Sequence, residues 1–289
     1  MPDTFFLIQV LNGVQYGLLL FLVASGLTLV FGIMGVINLA HGSFFMIGAY
    51  LAYALAAMTG NLWLAILIAL PTAFALGFAT EAALIKPLYN RDHLYQVLLT
   101  YGLILVFEEC RSLLFGDDVH GVNVPAMLNF SIRLTSGLNY PVYRLVLSGI
   151  CLVLAALMWL VIQKTRLGMA IRAGYSNREM ASLLGLDIGW LYRIVFAAGV
   201  TLAAFAGMIA APVASVYPGM GNEILIASFV VVIIGGIGSI KGAFVASLLI
   251  GLVDTFGQLY APTLAGMAVY VLMAAVLVAR PAGLFGRRA

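Results

Sequence analysis

The sequence predicts an all-α, polytopic membrane protein of eight or nine transmembrane helices in a single domain, residues 1–289. Hydrophobic residues make up 64% of the chain and charged residues only 9%, whereas about a quarter of the residues in a soluble domain are charged. Such a chain cannot cover its surface with polar groups. Its apolar runs also reach the length of about 20 residues that crossing a bilayer requires. The net charge of +3 is small and does not indicate nucleic-acid binding.

Nine apolar segments are interpreted as spans, separated by loops that contain glycine or charged residues. The seventh and eighth spans are short and share the joint GGIGSIKG, residues 235–242. A re-entrant pair is therefore the alternative to two full spans, since irregular backbone is tolerated at depth where protein or a cavity lines it. The predicted spans are 5–32, 38–58, 62–84, 94–115, 141–162, 190–213, 224–239, 243–259 and 263–279.

Lysine and arginine concentrate in alternate loops, which indicates the orientation of the spans. With an odd number of spans, the cations at 86–91, 164–193 and 241 and those of the tail from 280 fall on one side, the expected cytoplasmic side. The N-terminus is therefore predicted outside and the C-terminus in the cytoplasm. Four spans precede the fifth span and four follow its loop, which suggests an inverted repeat of the kind found in transport folds.

The cytoplasmic loop 164–190 belongs to the longest polar interruption of the chain and is predicted to contain a short helix. Ser176 and Glu179 stand at the spacing of a capping box, so the helix is expected to begin at Ser176. Gly185 is the expected stop, because glycine takes the left-handed conformation of a helix end at low cost.

The predicted short helix has an apolar face formed by Met180, Leu183 and Leu184, at spacings of three and four residues. About two turns of isolated helix are not stable in water. The helix therefore needs a surface to lie on, and we infer that this surface belongs to another protein. A helix that lies on the lipid headgroups is the alternative.

The segment GIMGVINLAHGSFF, residues 32–45, interrupts hydrocarbon with polar residues that are not a charge run. Unpaired polar groups cost about 2–7 kcal/mol each in an apolar medium, so Asn38, His41, Gly42 and Ser43 must face protein, water or solute. They form either a broken helix that lines a pathway or a tight cytoplasmic turn whose polar groups cap helix ends. No second histidine or cysteine stands at ligand spacing from His41, so no metal site is predicted.

One carboxylate and two glycines are further candidates for a pathway. Asp254 in the eighth span is a lone carboxylate, which costs about 2.5–3.5 kcal/mol at mid-membrane and is therefore a functional candidate. A hydrogen bond to Gln258, one turn on, or to another span is expected, and a proton-relay role is the alternative. Gly235 and Gly236 permit close helix packing, with a place on the pathway as the alternative.

Three segments together carry a resemblance to a known family. They are GLTLVFGIMGVINLAHGSFFMIGAY (26–50), TRLGMAIRAGYSNREMASLLGLD (165–187) and SFVVVIIGGIGSIKGAFVASLLIG (228–251). Through them the whole chain resembles the branched-chain amino acid permease family of bacterial ABC importers, and in particular its LivH-like subunit. The resemblance implies a type II ABC-importer-like permease that is multi-pass in the bacterial inner membrane.

The resemblance implies that the cytoplasmic loop couples the chain to an ATPase. Permeases of ABC importers carry an EAA-x3-G pattern in such a loop, and Glu179, Ala181 and Gly185 stand at its spacing, with Met180 in place of the middle alanine. The helix would sit in a groove of an ATPase subunit, and ATP-driven closure of the ATPase pair would move the spans between inward-open and outward-open states. The expected coupling residues are Arg172, Ser176, Glu179, Met180, Ala181, Leu183, Leu184 and Gly185.

The resemblance also implies the partners: a second, homologous permease subunit, two ATPase subunits and a periplasmic solute-binding protein. The chain itself is expected to hold no catalytic residues and no cofactor, and no Walker-type GxxxxGK[ST] segment is present. The implied cargo is leucine, isoleucine or valine, or another small amphipathic molecule. Related systems are expected to carry urea, short amides or aromatic acids.

Two other classes of function are alternatives. A stand-alone secondary transporter or channel would show chained intramembrane acids or rings of polar residues, whereas Asp254 is isolated in the sequence. An intramembrane enzyme would need a nucleophile–base pair or a metal motif, and neither HExxH nor GxSxG appears. The predicted function is therefore an ABC-importer permease.

Overall fold

The computed structural model describes residues 2–89, 91–135 and 138–286, and helices dominate it. Helix α3 continues without a break into a π-helical turn, Glu81–Ile85, and a 3-10 turn, Lys86–Leu88. The α-helices are α1 Pro2–Met34, α2 His41–Thr59, α3 Leu62–Thr80, α4 His93–Phe115, α5 Val142–Lys164, α6 Arg166–Ser176, α7 Arg178–Leu183, α8 Ile188–Ala214, α9 Met220–Gly235, α10 Ile240–Tyr260 and α11 Ala265–Ala279. The strands are β1 Ser131–Thr135 and β2 Leu138–Pro141, with a further 3-10 turn at Ala126–Leu128 before them.

Within the described residues, nine helices coincide with the nine predicted spans, because each apolar run is bounded by a turn. Six of these helices are long and apolar enough to cross a membrane, α10 among them. α9, with 16 residues, is shorter; at 1.5 Å per residue it is about 24 Å long, less than the hydrocarbon core of about 30 Å. The number of full spans and the re-entrant alternative for α9 and α10 stay predictions.

α1 lies at the centre of the helical body. The seven residues from Leu18 to Ala24 are each at most 6% exposed. Glycines let two neighbouring helices approach its backbone: a Cβ on Gly26 would lie 2.6 Å from the carbonyl oxygen of Gly199 in α8, and a Cβ on Gly17 would lie 2.7 Å from that of Ser247 in α10. In lipid no hydrophobic force drives helices together, so association depends on close packing of this kind.

One end of the bundle, which we call the hairpin end, carries the antiparallel pair β1–β2, a small addition to the all-helical body that the sequence predicts. Ile132 pairs with Tyr140 in this hairpin. The Tyr140 hydroxyl donates to the Asn12 side-chain oxygen in α1 at 3.0 Å. His120, in the loop after α4, forms an isolated antiparallel β-bridge with Val216, which follows α8. The hairpin end therefore joins the start of α1, the loop after α4 and the turn after α8.

The opposite end, which we call the loop end, carries α6, α7 and the C-terminal tail. Gly32, near the end of α1, packs there on Gly238 and on the ring of Tyr175. This division of loops into two ends matches the grouping that the lysines and arginines predict, and the cytoplasmic position of the loop end stays a prediction. Arg287 and Arg288 of the tail lie outside the described residues.

The chain between α1 and α2, residues 35–40, runs back along α1 instead of turning at its end. His41 Nε2 lies 3.0 Å from the Val23 carbonyl oxygen, about 16 Å before the end of α1 by the helical rise. Thr100, inside α4, donates to the Ile37 carbonyl at 3.4 Å. Ala40, which precedes α2, makes no capping side-chain bond. The geometry therefore matches a helix broken at depth and not a capped turn at the helix ends; its place on a pathway stays a prediction.

Candidate functional site

The loop end carries two helices between α5 and α8, where the sequence predicts one. α6 begins after Thr165, whose hydroxyl oxygen accepts the Gly168 N–H at 3.1 Å, and it ends at Ser176. α7 begins after Asn177, whose side-chain oxygen accepts the Met180 N–H at 2.9 Å. The predicted start at Ser176 is wrong by one residue, because Asn177 has the extended backbone of an N-cap while Ser176 is still helical.

Gly185 ends α7, as the sequence predicts. Its φ of +86° lies in the left-handed region, where glycine pays no Cβ penalty. Its N–H bonds the Ser182 carbonyl at 3.0 Å, and the Leu186 N–H bonds the Ala181 carbonyl at 3.1 Å. The two bonds form a Schellman motif, which fixes the direction in which the chain leaves α7 toward α8.

The apolar face of α7 points away from the rest of the chain. Met180, Leu183 and Leu184 are 54%, 82% and 78% exposed, whereas Ala181 is 3% exposed. The helix is thus seated on the body through a small residue and presents three large apolar side chains outward. An exposed apolar patch of this kind marks a contact with another protein or with a membrane.

The remaining predicted coupling residues flank this face. Ser176 and Glu179 are exposed. Arg172 donates from its guanidinium to the Ile162 carbonyl near the end of α5, so α6 is fixed to α5. A groove of about 660 Å³ runs beside α7 and is lined by Glu179, by the start of α8 and by the turn at Lys86. The structure thus places the predicted coupling residues on α6, on α7 and in the turn after α7, with Ala181 buried against the body.

A buried ion pair that the sequence does not predict joins α8 to the π-helical turn after α3. Arg193 Nε lies 3.0 Å from Glu81 Oε2, and the other oxygen of Glu81 accepts the Tyr89 hydroxyl. Glu81 is 0% exposed and Arg193 is 24% exposed. Phe78 lies 5.1 Å from the guanidinium carbon, within cation–π range. The available signal was a carboxylate inside the predicted span 62–84, but its partner is 112 residues away.

A cavity of about 590 Å³, the hairpin-end cavity, lies between α1, α5, α8, α9 and α10 at the hairpin end. Its wall combines polar side chains with large apolar ones, so it differs from the surrounding apolar core. The polar lining residues are Gln9, Asn12, Gln15, Tyr16, Arg144, Tyr217, Glu223, Asp254, Thr255 and Gln258. The larger apolar ones include Leu19, Phe45, Met220 and Ile224.

Three charged residues from three helices line this cavity: Arg144 of α5, Glu223 of α9 and Asp254 of α10. The three ion pairs among the described residues include none of them. A neutral neighbour orients each charge instead, and the hydrogen bond between Asp254 and Gln258 confirms the prediction for that pair. These bonds are Arg144 to Asn12 Oδ1 at 3.0 Å, Gln258 to Asp254 at 2.7 Å and Tyr217 to Glu223 at 2.6 Å.

Four of the predicted pathway residues lie at the break between α1 and α2. Asn38, His41 and Ser43 are at most 3% exposed. Within the described residues, the side-chain nitrogen and oxygen of Asn38 and the Nδ1 of His41 have no hydrogen-bond partner. Gly42 packs directly on the backbone of Gly221 at the start of α9. Because buried polar groups are normally paired, this break is an unsatisfied polar point in an apolar core.

The other three predicted pathway residues lie apart from that break. Gly235 and Gly236 are at the loop end, where the backbone N–H groups of Leu284 and Phe285 donate to the last carbonyls of α9. A Cβ on either glycine would clash with neighbouring backbone atoms. Asp254 lines the hairpin-end cavity. The structure therefore brings the seven residues to three separate places.

Comparison with known proteins adds a family to this geometry. The family described as "Branched-chain amino acid transport system / permease component" matches residues 9–279. The high-affinity branched-chain amino acid transport system permease protein BraD of Pseudomonas aeruginosa is 30% identical, over 99% of this chain and 98% of its own length. The permease protein LivH of Salmonella typhimurium is 30% identical, over 98% of this chain and 96% of its own. A probable permease LivH of Methanocaldococcus jannaschii is 28% identical, over 96% and 92%.

Proposed function

Since the chain belongs to the branched-chain amino acid transport permease family, we propose that it is the membrane-spanning permease subunit of a binding-protein-dependent ABC importer. Its cargo is a branched-chain or other small amphipathic amino acid, moved inward across the bacterial inner membrane. The hairpin end faces the periplasm and the loop end faces the cytoplasm. ATP hydrolysis takes place on separate ATPase subunits, and this chain performs no catalysis.

The observation that carries this proposal is the exposed apolar face of α7. A helix of six residues is too short to be stable alone. It is held by Asn177 at its start and Gly185 at its end, and Ala181 seats it on the body. Met180, Leu183 and Leu184 remain uncovered. In the proposal this face docks into a groove of an ATPase subunit, since burial of each large apolar side chain contributes about 1.5–3 kcal/mol.

The transmission of movement in this proposal passes from α7 into α8. The chain leaves α7 through the Schellman turn at Gly185 and enters α8 within a few residues. Arg193, in the second turn of α8, is tied to Glu81 at the end of α3. A displacement of α7 by an ATPase therefore reaches two long helices through one turn and one ion pair, which is how a rigid connection transmits motion.

The solute path in this proposal begins at the hairpin-end cavity. Asp254 and Arg144 line that cavity. The break at Asn38 and His41, with its unpaired buried polar atoms, offers a point at which the closed core can open toward the loop end. The partners are a second, homologous permease subunit, two ATPase subunits and a periplasmic solute-binding protein, all in or beside the lipid bilayer.

A double substitution tests the docking surface directly. Leu183→Ser with Leu184→Ser removes apolar side chains that are already exposed, so folding of this chain is unaffected. The affinity for the cognate ATPase subunits is expected to fall by at least about tenfold, since one buried leucine alone is worth more than the 1.4 kcal/mol of a tenfold change. The measurement is titration of the ATPase subunits into the permease pair in nanodiscs.

The matched control makes the same change at the opposite end. Leu113 and Leu114 are 78% and 76% exposed near the end of α4, and Leu113→Ser with Leu114→Ser is expected to leave ATPase binding unchanged. Gly185→Pro is a second disruptive variant, because proline cannot adopt a φ of +86°. Wild-type ATPase affinity in both loop-end variants would refute the proposed coupling role.

A further inference from the structure

We propose that the hairpin-end cavity binds one zwitterionic α-amino acid with an apolar side chain, its carboxylate on Arg144 and its ammonium group near Asp254. This inference rests on the proposed function, because it places the cavity on the import path. It adds a ligand site within the membrane-spanning subunit itself. The cavity of about 590 Å³ is within the range of about 300–1,000 Å³ that small-molecule sites occupy.

Charges of both signs on one cavity are the first reason. Arg144 and Asp254 line the same space, yet the ion pairs of the described residues do not join them. Ionisable groups inside a membrane protein normally pair with one another or face a water-filled route. Two opposite charges kept apart across a cavity match a ligand that carries both charges and is neutral overall.

Arg144 is held in place but has donors to spare. Its guanidinium donates to Asn12 Oδ1 at 3.0 Å, and Asn12 is itself fixed by the Tyr140 hydroxyl at 3.0 Å. A guanidinium has five N–H donors in a planar fork that matches a carboxylate. One recorded bond to a neutral amide therefore leaves most of the fork available to a carboxylate in the cavity.

Asp254 is the deeper of the two carboxylates on the cavity wall. It is half-buried and accepts one hydrogen bond, from Gln258 at 2.7 Å. Glu223 is exposed and accepts the Tyr217 hydroxyl at 2.6 Å. Burial and the Glu223 carboxylate raise the pKa of Tyr217 to about 12, so this hydroxyl stays a donor at neutral pH. The ammonium group of a ligand is therefore assigned to Asp254, and Glu223 belongs to the rim.

The remainder of the wall suits an aliphatic side chain beside a polar backbone. Leu19, Phe45 and Met220 line the cavity and are at most 6% exposed to solvent. Gln15 also lines it, is 7% exposed, and its amide makes no hydrogen bond among the described residues. Convergent polar groups on an apolar wall are the composition of small-molecule sites in general. A neutral amide such as urea carries no charge to match those of Arg144 and Asp254.

The test reads ligand binding from inside this cavity alone. Thr255, on the cavity wall, is replaced by cysteine in a Cys110→Ser background. The new cysteine is labelled with a small thiol-reactive compound that carries a trifluoromethyl group. The labelled chain is assembled into the complete importer in nanodiscs, without nucleotide and without the solute-binding protein. Titrations followed by fluorine NMR then use three probes: L-leucine, 4-methylpentanoate, which lacks the ammonium group, and 3-methylbutylamine, which lacks the carboxylate.

L-leucine is expected to bind at least about tenfold more tightly than either single-charge probe. Arg144→Gln is expected to weaken L-leucine and 4-methylpentanoate by about tenfold and to leave 3-methylbutylamine unchanged. Asp254→Asn is expected to weaken the binding of 3-methylbutylamine and to leave that of 4-methylpentanoate unchanged. Glu223→Gln is the matched control, since it removes the same charge at the rim, and its effect on L-leucine is expected to stay within about threefold.

Equal affinities for the three probes, or no saturable shift with L-leucine, would overturn the assignment. So would equal losses from Asp254→Asn and Glu223→Gln, because only long-range charge would then be at work. ATP-dependent L-leucine uptake by the same complex with its solute-binding protein, measured in parallel in vesicles, separates the two proposals. Uptake without the probe pattern rejects this site alone, whereas a complex that takes up no amino acid rejects the proposed function.

Discussion

Removal of Arg193 is expected to destabilise the protein more than removal of its partner Glu81. Glu81 is 0% exposed, and its carboxylate is paired with Arg193 Nε at 3.0 Å and with the Tyr89 hydroxyl. Arg193→Met would leave a buried carboxylate with a single hydrogen bond. Breaking a buried ion pair by removing one partner costs about 3–5 kcal/mol, because the other charge remains uncompensated.

Removal of the Glu81 charge leaves a less costly unpaired group than removal of Arg193. Glu81→Gln keeps an oxygen that accepts the Tyr89 hydroxyl, and the stranded guanidinium is 24% exposed and can reach water. The expected cost is about 1–3 kcal/mol, that of an imperfectly satisfied polar group. Because the double variant removes both charges, its cost is expected to be below the sum of the two single costs by about 2 kcal/mol or more. That difference exceeds the scatter of about 0.3–0.5 kcal/mol that independent sites show.

The assay is equilibrium unfolding of the four proteins in mixed detergent micelles, followed by tryptophan fluorescence. Arg166→Met is the matched control, since Arg166 is exposed at the same end of the bundle, and its effect is expected to stay within about 0.5 kcal/mol. A larger cost for Glu81→Gln than for Arg193→Met, or two single effects that simply add, would contradict this expectation.

Two further outcomes are expected. Gly42→Leu would drive a side chain into Gly221 and Leu225, whereas Gly149→Leu in α5 meets open space. Because overpacking costs about 1–3 kcal/mol, only Gly42→Leu is expected to lower the thermal midpoint, by about 4 °C or more. Equal shifts in the two variants would contradict this expectation. Arg111, with Ser112, holds the pKa of the Asp117 carboxyl below its usual range. The contribution of a carboxyl with a lowered pKa is complete above the unfolded value of about 3.9 and is lost as pH falls through the folded value. The difference in thermal midpoint between wild type and Asp117→Asn is therefore expected to be constant from about pH 8 to 5 and to shrink only below about pH 4; a loss between about pH 7 and 5 would count against the pairing.

Local features of the sequence predicted much of the loop end. The stop at Gly185 followed from the one residue type that takes positive φ without strain, and the apolar face of α7 followed from residue spacing. The start was misplaced by one residue, because Ser176 and Asn177 both have capping side chains. Which of them caps depends on where α6 ends, and α6 itself was not predicted.

The positions of polar residues in three dimensions were less accessible. For the segment from Asn38 to Ser43 the sequence predicted either a broken helix or a capped turn. The contact between His41 and Val23, which distinguishes these two alternatives, is visible only in the tertiary structure. Asp254 was identified as a candidate because a lone carboxylate in an apolar run is costly. Arg144 falls at the start of the predicted span 141–162, and its position on the same cavity was not predicted.

By itself, the sequence determined the features that depend on a local pattern or on the free energy of a single residue. These are the nine apolar runs, the bias of cations to alternate loops, the glycine at the end of α7 and the isolated carboxylate of α10. Each of these follows from the free energy of one segment or residue against lipid or water. Only the tertiary structure decided that Arg193 pairs with Glu81 and that Arg144 and Asp254 line one cavity. Such pairings join residues more than a hundred positions apart, and they depend on how helices distant in the chain pack against one another, which no local pattern encodes.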